Sequence, residues 1–598
     1  MKLRTTLALL VIAVALGIFV WILDRKSPGT REGLARRAYV VDFDRNDVTR
    51  LEIENGDTKI KLAKTASGWN LTAPVADRAD QKAVDNLLYA AQFLKRRDAI
   101  TNLGKGEQKR NYFRQFGVLR PHLILRCLGK HTQIVLEFGS ETALDGTCYL
   151  RVDGQEPVFV AEDNLKNLIS ENSDYFRDHQ LTPFLPSEVN RILFNQAAGE
   201  IELSRQRDEW QILRPIKARA DNAAINRLLQ QIANTSILQF QDQEGSGDLD
   251  VENSATSLSL FSEQSKVKIA YGPAVPNQPG RIYVRVSDRP STFIVDESLL
   301  RTVNQKPNDL RDRKIMRLNP DLIDRITIMS DGKPITQLSR RETRWVLLGN
   351  SSENQTATSE APAEAEQVNR LINTLNDSDV SRFVSDSAIE LDRYGLERPA
   401  LEFAFSSYST ENTAEANAGE TRLATLAIGD SENGNYYARV EEEPYIVALP
   451  KQLVQQLPTS SLAFRSREIL SLPRSELLSV EIKSKDQTAK LTRTGKGQWV
   501  VQGLTGKQND LAVQTFLNTI ANLRAVAWVS ADDSAPMADP SEQKLVLHLK
   551  NQNSAMEIAL RIAAPDQDGN RYATISTQPG TFLLSAADFQ RLEASLVY

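Results

Sequence analysis

Two aromatic positions recur four times along this chain of 598 residues, and their period sets the size of its folding units. A tryptophan follows a strand-like run at four places, Trp69, Trp210, Trp345 and Trp499. A tyrosine returns inside a later strand-like run, at Tyr149, Tyr283, Tyr437 and Tyr572. Both series repeat at roughly 135–155 residues, whereas solenoid units repeat about every 20–50 residues. The chain is therefore predicted to be a tandem array of four whole domains, in agreement with about 150 residues per domain.

The first repeat shows the order of elements within a module. Residues 51–55 and 59–64 alternate in polarity on either side of Gly56-Asp57, which predicts a β-hairpin. A third strand holds Trp69, and Asp80 then takes the place of a helix N-cap. The helix is predicted to bury one face, formed by Val84, Leu87, Leu88 and Ala91. After a loop, the pattern predicts strands at 122–128, 132–138, 148–152 and 157–161, a short helix at 163–170 and an exit at 175–178.

The other modules repeat these positions, with Asp221 and Asn509 as the predicted caps in the second and fourth. We expect an α+β fold in which an N-terminal transmembrane helix precedes four modules of antiparallel sheet packed by helices. Two segments rich in Ser, Thr, Ala and Glu are predicted to be disordered, since they can bury little apolar surface. The predicted domains are an anchor and linker at 1–37 and modules at 38–178, 179–313, 314–467 (with insertions 351–362 and 406–419) and 468–598.

Residues 5–23 predict a membrane anchor. They form about 19 consecutive uncharged positions, enough for a helix of about 28 Å, close to the hydrocarbon thickness of a bilayer. Trp21 lies near the end of this run, where interfacial aromatics are common. A cleaved signal peptide is the alternative, but residues 19–23 offer no small-residue cleavage site. We expect a retained single-pass anchor in the inner (cytoplasmic) membrane.

The charges that flank this run bear on its orientation. Lys2 and Arg4 precede it, and five basic residues follow it, Arg25, Lys26, Arg31, Arg36 and Arg37. The number of Lys and Arg residues alone predicts that the C-terminal side of the span stays in the cytoplasm. A short basic segment before a long apolar run is nevertheless typical of an uncleaved export signal, and long domains translocate largely regardless of flanking charge. We expect the modules to be periplasmic or otherwise extracytoplasmic.

The two cysteines, Cys127 and Cys148, both fall in the first module, and so few thiols are compatible with export. If the strands form a simple meander, the two lie on next-but-one strands, about 9–10 Å apart. A disulfide needs Cα atoms within about 7 Å. Two free buried thiols are therefore favoured over a pair.

The sequence shows no catalytic or metal-binding signature. The histidines, His122, His131, His179 and His548, are scattered and lack metal-ligand spacing. Residues 503–508 resemble a phosphate-binding loop only faintly, because Gln508 replaces the required Ser or Thr. The net charge of −5 provides no basic footprint for nucleic acid. We predict a non-enzymatic protein with no catalytic, cofactor-binding or metal residues and no nucleic-acid partner.

The recurring Trp and Tyr are interpreted first as core anchors, with stacking on carbohydrate or peptide as the alternative. Arg151, Arg285 and Arg439 each lie two positions after a repeated Tyr, so they share its face of the strand. Such an Arg can stack on the ring or pair with a carboxylate of the adjacent linker. Thr574 replaces it in the fourth module, which makes one ligand-binding role for all four modules a weak hypothesis.

The combination resembles a known bacterial membrane family, that of domain of unknown function 4340. The resemblance rests on an N-terminal anchor followed by Trp…Pro…Ala-Asp and aromatic-Gly-x-x-x-Pro patterns. The matching segments are Trp69…Pro74…Ala79-Asp80, Trp210…Pro215…Ala220-Asp221, Phe116-Gly117…Pro121 and Tyr394-Gly395…Pro399. The aromatic-Gly pattern is absent from the second and fourth modules. The resemblance implies an accessory protein beside ABC-2-type exporters or gliding-type auxiliary systems.

Two functions are therefore expected. The first is a non-enzymatic, membrane-anchored scaffold, an accessory subunit of an ABC-type export or envelope-assembly complex whose partners are an ATPase and a permease. The second is an envelope protein that binds glycan or peptidoglycan through aromatic residues on the module surface.

Overall fold

The computed structural model describes residues 38–242, 251, 254–263, 265–349, 360–408, 419–484, 488–531, 543–551 and 554–598. The chain divides into two compact units, Met1–Arg311 and Asp312–Tyr598, and each contains two of the predicted modules. The predicted membrane span at 5–23 lies outside the described residues. Within them, no helix combines the length and the apolar character that a membrane crossing requires.

The first unit holds two antiparallel sheets of nine strands. The first sheet consists of β1 Val48–Asn55, β2 Thr58–Thr65, β3 Gly68–Ala73, β4 Asp77–Arg78, β5 Arg96–Ile100, β6 Leu123–Gly129, β7 Gln133–Glu141, β8 Thr147–Val152 and β9 Gln155–Glu162. The second consists of β10 Arg191–Gln196, β11 Gly199–Gln206, β12 Glu209–Arg214, β13 Ala218–Arg219, β14 Gln239–Gln241, β15 Ser257–Phe261, β16 Lys266–Ala274, β17 Arg281–Val286 and β18 Thr292–Asp296.

The second unit repeats this plan with sheets of nine and eight strands. The third sheet consists of β19 Arg325–Ser330, β20 Lys333–Arg341, β21 Arg344–Leu348, β22 Glu360–Pro362, β23 Arg382–Ser385, β24 Leu401–Tyr408, β25 Glu420–Glu432, β26 Asn435–Val440 and β27 Ile446–Pro450. The fourth consists of β28 Leu477–Ser484, β29 Thr488–Arg493, β30 Trp499–Gln502, β31 Ala525–Ser530, β32 Gln543–Asn551, β33 Ser554–Pro565, β34 Arg571–Ile575 and β35 Gln578–Leu584.

The strand order is the same in every module. In the first it is β4-β3-β2-β1-β6-β7-β8-β9-β5, and the described part of the fourth differs only in having no counterpart of β4. The helices are α1 Gln81–Gln92, α2 Glu107–Gln115, α3 Asn164–Leu168, α4 Asn222–Asn234, α5 Leu300–Val303, α6 Pro307–Leu310, α7 Ala365–Asp377, α8 Lys451–Gln456, α9 Ser461–Phe464, α10 Asp510–Ala521 and α11 Ala586–Glu593. Helix α1 follows β4 at one edge and leads to β5 at the other, so it crosses one face of the sheet.

The long helices begin where the sequence predicts. The Asp80 carboxylate accepts hydrogen bonds from the backbone N–H groups of Lys82 and Ala83, and Asp221 and Asn509 cap α4 and α10 in the same way. The buried face of α1 consists of Val84, Leu87, Leu88 and Ala91, as the helical spacing predicts. In the third module, Glu364 holds the cap position, but its side chain makes no hydrogen bond to α7.

Strand β5 and helix α2 were not predicted. Both lie in the stretch interpreted as a loop, between α1 and β6. The β5 sequence Arg-Arg-Asp-Ala-Ile has no apolar alternation, because an edge strand pairs on one side only and is largely exposed. Helix α2 buries a single side chain, Phe113, so its sequence has no run of apolar residues at helical spacing like that of α1.

The recurring tryptophans are core residues in the first three modules. Trp69, Trp210 and Trp345 are buried, whereas Trp499 is only half-buried at the edge of the fourth core. Cys127 and Cys148 are free, buried thiols on β6 and β8, the next-but-one arrangement expected from a meander. Burial raises the pKa of Cys127 to about 12 and that of Cys148 to about 11, so neither is a nucleophile at neutral pH.

Each of the two insertions predicted to be disordered includes a few residues that the structure places in a strand. Glu360–Pro362 forms β22 and pairs with β21, and residues 406–408 complete β24. The rest of the two insertions, except Gly419, lies outside the described residues. Backbone pairing with neighbouring strands orders these ends whatever their composition.

Candidate functional site

The recurring tyrosines lie outside the main core, which corrects their interpretation as core anchors. Tyr149 is half-buried on the strand face opposite to Cys148 and Leu150, and its ring stacks on Phe116 at 4.4 Å between centroids. Phe116 precedes Gly117, whose φ of +73° suits glycine, and a Cβ at Gly139 would lie 2.2 Å from the Phe116 carbonyl oxygen. The third module repeats the arrangement, with Tyr437 at 4.9 Å from Tyr394. The aromatic-Gly pattern therefore covers the second sheet face in these two modules.

Two arginines of the Tyr-x-Arg pattern, Arg151 and Arg439, make contacts within their own modules. Arg151 donates to Glu137 on the neighbouring strand at 2.7 Å, and its guanidinium lies 4.9 Å from the Phe113 ring centroid. Arg439 donates to the backbone carbonyls of Glu441 and Glu443 at its own hairpin. These contacts stabilise single modules.

The largest concentration of buried charge lies where the first module meets the second, within the first unit. The linker is joined to both modules: Arg177 pairs with Ala79 of the first, and Gln180 pairs with Ser236 of the second. The linker backbone therefore extends both sheets by one bridge each.

Four charged side chains form the centre of this junction, and three of them, Asp77, Arg177 and Arg289, are buried. Asp77 of the first module accepts two hydrogen bonds of 2.7 Å from Arg289 of the second. Arg177 of the linker donates to Asp77 at 2.9 Å and to Asp242 at 2.7 Å. The guanidinium of Arg177 also lies 3.9 Å from the Phe240 ring centroid. We call the set Asp77, Arg177, Asp242 and Arg289 the junction cluster.

The charges of the junction cluster satisfy one another. Burial opposes ionisation of Asp77, but the hydrogen bonds and charges of Arg289 and Arg177 outweigh it and hold the pKa of Asp77 below its usual value. Burial likewise lowers the pKa of Arg177, but hydrogen bonds to Asp242 and Asp77 overcome this and raise it. In contrast, burial raises the pKa of Asp178, which lies 3.4 Å from Arg78 at the edge of the junction. The cluster is therefore an ionised, hydrogen-bonded network.

The second unit has a simpler junction between the third and fourth modules. The Arg465 guanidinium lies 3.5 Å from the Trp528 ring centroid and donates to the carbonyl oxygen of Pro579. Trp528 donates through Nε1 to the Ser466 carbonyl at 2.8 Å. Glu364, which leaves its own helix uncapped, accepts from the backbone N–H of Arg467 at 2.9 Å and lies 3.3 Å from Arg524.

Comparison of equivalent positions shows that the arginine and the aromatic residue both recur in the repeat. The residue bridged to the segment before each long helix is Arg177, Arg311 or Arg465 in the first three modules and Val597 in the fourth. A second position lies on the edge strand that pairs with β9, β18, β27 or β35. There, Ala99 pairs with Phe159 in the first module, whereas the other modules carry an aromatic residue. These pairs are Phe240 with Phe293, Phe383 with Val447 and Trp528 with Phe582. An arginine thus occurs at the first of these positions in modules one to three, and an aromatic residue at the second in modules two to four. The sequence predicts the exit of the first module at 175–178 but not the role of its arginine, and alignment of the four repeats would reveal that these two positions recur.

We expect Arg465→Met to lower the free energy of unfolding of the second unit by about 1–2 kcal/mol, since a desolvated cation–π contact is worth about 2 kcal/mol. Urea denaturation followed by pulse proteolysis measures this change. Arg524→Met is the matched control, because Arg524 pairs with Glu364 at the same junction but its side chain is 56% exposed. An equal loss in both variants would show that the stacking geometry contributes nothing.

Two other residues considered in the sequence analysis, Gln508 and His179, make hydrogen bonds that stabilise the fold. Gln508, in the faint phosphate-loop pattern, bonds through its side chain to the backbone of Trp499 and Val501 and so holds the edge strand β30. His179 bonds to the Arg177 carbonyl at the junction. Among the described residues, no group of three His, Cys, Asp or Glu side chains is arranged to hold a metal ion.

Family comparison bears directly on the repeated module. The model "Domain of unknown function (DUF4340)" matches residues 69–248, 210–360 and 355–545, well over half of the chain. The chain belongs to the DUF4340 family. Each DUF4340 match begins in one module and ends in the next, so each includes a junction.

Other comparisons add no function to the DUF4340 assignment. No curated protein matches the chain. Solved structures that align with it include a DNA polymerase sliding clamp with ligand from Pseudomonas aeruginosa, at 8% identity over 68% of this chain and 93% of that one, with a TM-score of 0.12. The DNA polymerase III subunit beta of the same organism aligns at 10% identity over 65% and 93%, with a TM-score of 0.11. Scores this low support no argument about fold or function.

Proposed function

We propose that this DUF4340 protein is a non-enzymatic, membrane-anchored scaffold, an accessory subunit of an ABC-type export or envelope-assembly complex. The observation that carries the proposal is the use of buried charge at the junctions. Buried, paired charges are costly to desolvate and are retained in some proteins for a specific geometry more than for stability. Here they hold one module to the next within a unit, which suits a protein that presents surfaces at set positions.

The chemistry of the described residues is in keeping with a scaffold. Cys127 and Cys148, the thiols whose pKa values are raised, are buried. The Asp77 carboxylate, whose pKa is lowered, accepts hydrogen bonds from two arginines. A catalytic side chain instead has to lie within hydrogen-bonding distance of a substrate bound in a cleft. The envelope-glycan alternative draws less support, because Trp69, Trp210 and Trp345 are buried and cannot stack on a sugar ring.

Affinity purification of the full chain in mild detergent tests the scaffold role. We expect an ATPase and a permease of the ABC type to co-purify, and the Asp77→Ala variant to recover less of them because its first junction is weakened. Recovery of the chain alone would count against this function. Enrichment of peptidoglycan fragments instead would favour the envelope-binding alternative.

We further expect the modules to lie outside the cytoplasm. An alkaline phosphatase fused after Tyr598 should be active, and a green fluorescent protein at the same place should be dark, because the first folds only after export. Substitution of the five basic residues that follow the span by Gln is the control and should leave this pattern unchanged. A fluorescent fusion in the native chain would show that these charges retain the modules in the cytoplasm.

A further inference from the structure

An exposed aromatic cluster marks the beginning of the described chain. Tyr89 and Phe93, at the end of α1, are 54% and 38% exposed, and their ring centroids are 4.8 Å apart. Tyr39, the second described residue, packs edge-on against Phe93 at 5.5 Å. The Arg45 guanidinium lies 5.3 Å from the Tyr89 ring. We call Tyr39, Tyr89 and Phe93 the aromatic patch.

The aromatic patch belongs to the first module alone. The bridges Tyr39–Lys95, Gln180–Ser236, Lys314–Asp379 and Glu468–Arg524 align the four modules residue by residue. At the three patch positions the other modules carry polar or charged residues: Gln180, Gln230 and Asn234; Lys314, Asn373 and Asp377; Glu468, Asn518 and Asn522. The fold therefore does not require aromatic side chains at these positions, since three copies do without them.

A basic segment adjoins the patch and is equally specific to the first module. Lys95-Arg96-Arg97 begins two residues after Phe93. Lys95 is exposed, Arg96 is half-buried with its guanidinium 5.9 Å from the Phe159 ring centroid, and Arg97 is 59% exposed and pairs with Glu162. The aligned segments are Ser236-Ile237-Leu238, Asp379-Val380-Ser381 and Arg524-Ala525-Val526, with at most one cation each. Exposed Tyr rings beside Lys and Arg are the composition that favours the headgroup region of an anionic membrane.

The position of the patch along the chain favours the same partner. The predicted span ends at Leu23, about 16 residues before Tyr39, and such a segment reaches at most about 55 Å when fully extended. The first module is therefore the one held nearest to the bilayer if the span is inserted. Tethering raises the effective concentration of the patch at the membrane surface, so even a weak affinity suffices for contact.

We infer that the aromatic patch and Lys95-Arg96-Arg97 seat the first module on the anionic headgroups of the bilayer that holds the predicted anchor. The inference rests on the anchor of the proposed function and adds a second, lateral contact with the membrane. Seating by α1 sets the orientation of the first module, and the junction cluster passes this orientation to the second.

A spin label on α1 tests the contact in the full chain, placed in nanodiscs of phosphatidylcholine with or without phosphatidylglycerol. Asn86→Cys lies on the exposed face of α1, two turns before Phe93, and leaves the patch intact. Arg227→Cys is the aligned, exposed position on α4 and serves as the matched control. The native Cys127 and Cys148 are buried and should stay unlabelled. We expect the label at 86 to show several-fold higher accessibility to oxygen, relative to a water-soluble nickel chelate, than the label at 227, and only with phosphatidylglycerol.

Two double variants complete the design. Tyr89→Ser with Phe93→Ser should return the label at 86 to the values seen at 227, whereas Gln230→Ser with Asn234→Ser should change nothing. The replaced rings are exposed, and thermal unfolding confirms that each variant is folded. A chain that fails to co-elute with nanodiscs lacks the anchor, which overturns the proposed function as well.

Equal nickel accessibility at 86 and 227 in a co-eluting chain overturns the seating alone. A label at 86 that is shielded equally in lipid and in detergent would show that the chain's own residues 24–37 cover the patch, and this also overturns the inference.

Discussion

Asp77→Ala should lower the free energy of unfolding of the first unit by about 3–5 kcal/mol, the usual cost of removing one partner from a buried ion pair. Asp77 is the only carboxylate in the described structure bonded to both Arg177 and Arg289. Its loss removes a charged partner from two buried cations, of which Arg177 keeps Asp242 and Asp174. The backbone itself accepts alanine, because Ala218 and Ala361 occupy the aligned positions. Pulse proteolysis in urea measures this loss of unfolding free energy, if the cleavage fragments that derive from residues 38–311 are quantified.

Two controls separate the junction from a general effect of charge. Glu366→Ala removes one member of an exposed ion pair with Arg370 and should cost under about 1 kcal/mol. Asp77→Asn keeps the shape but not the charge, and should fall between the wild type and Asp77→Ala. If Asp77→Ala cost no more than Glu366→Ala, the junction cluster would not hold the two modules together.

The effect of Asp77 should also depend on pH. Its pKa in the folded state is below the usual value, so its stabilisation is fully present above about pH 4 and is lost as the pH falls through the lowered folded-state pKa. The difference in stability between the wild type and Asp77→Ala should therefore shrink in acid. A difference that grows on acidification would contradict the assignment of Asp77 as an ionised partner.

Trp210→Ala should cost about 3–5 kcal/mol, the range for truncation of a large buried aromatic side chain. Trp210 is 2% exposed in the core of the second module. We expect limited proteolysis to increase within 179–313 and membrane insertion to survive, because the predicted span is independent of this core.

Trp499 is the natural control for this experiment. It occupies the same repeated position but is only half-buried, so Trp499→Ala should cost clearly less than Trp210→Ala. Unchanged cleavage within 179–313 in the Trp210 variant would mean that the side chain is exposed in solution, and glycan or peptide stacking would become the better interpretation.

Local patterns predicted the elements that bury a regular face. The hairpin of β1 and β2, the cap at Asp80 and the buried face of α1 depend on alternation, turn residues and helical spacing, which act between neighbours in the chain. Strand β5 escaped prediction because its pairing with β9 joins residues about 60 positions apart and leaves no periodic signal. The role of Tyr149 escaped for a similar reason, since alternation alone does not tell which face of a sheet is covered and by what.

The sequence by itself determined the number of modules, the family and the absence of a recognisable catalytic motif, because repetition and local spacing are properties of the chain. Only the tertiary structure decided what the exit arginines do. Arg177 donates hydrogen bonds to Asp77, 100 positions earlier in the chain, and to Asp242, 65 positions later. Its contribution to stability depends on its burial, which no local sequence pattern predicts. A buried charge is stabilised by its partners in space, so its partners had to be located before its role could be stated.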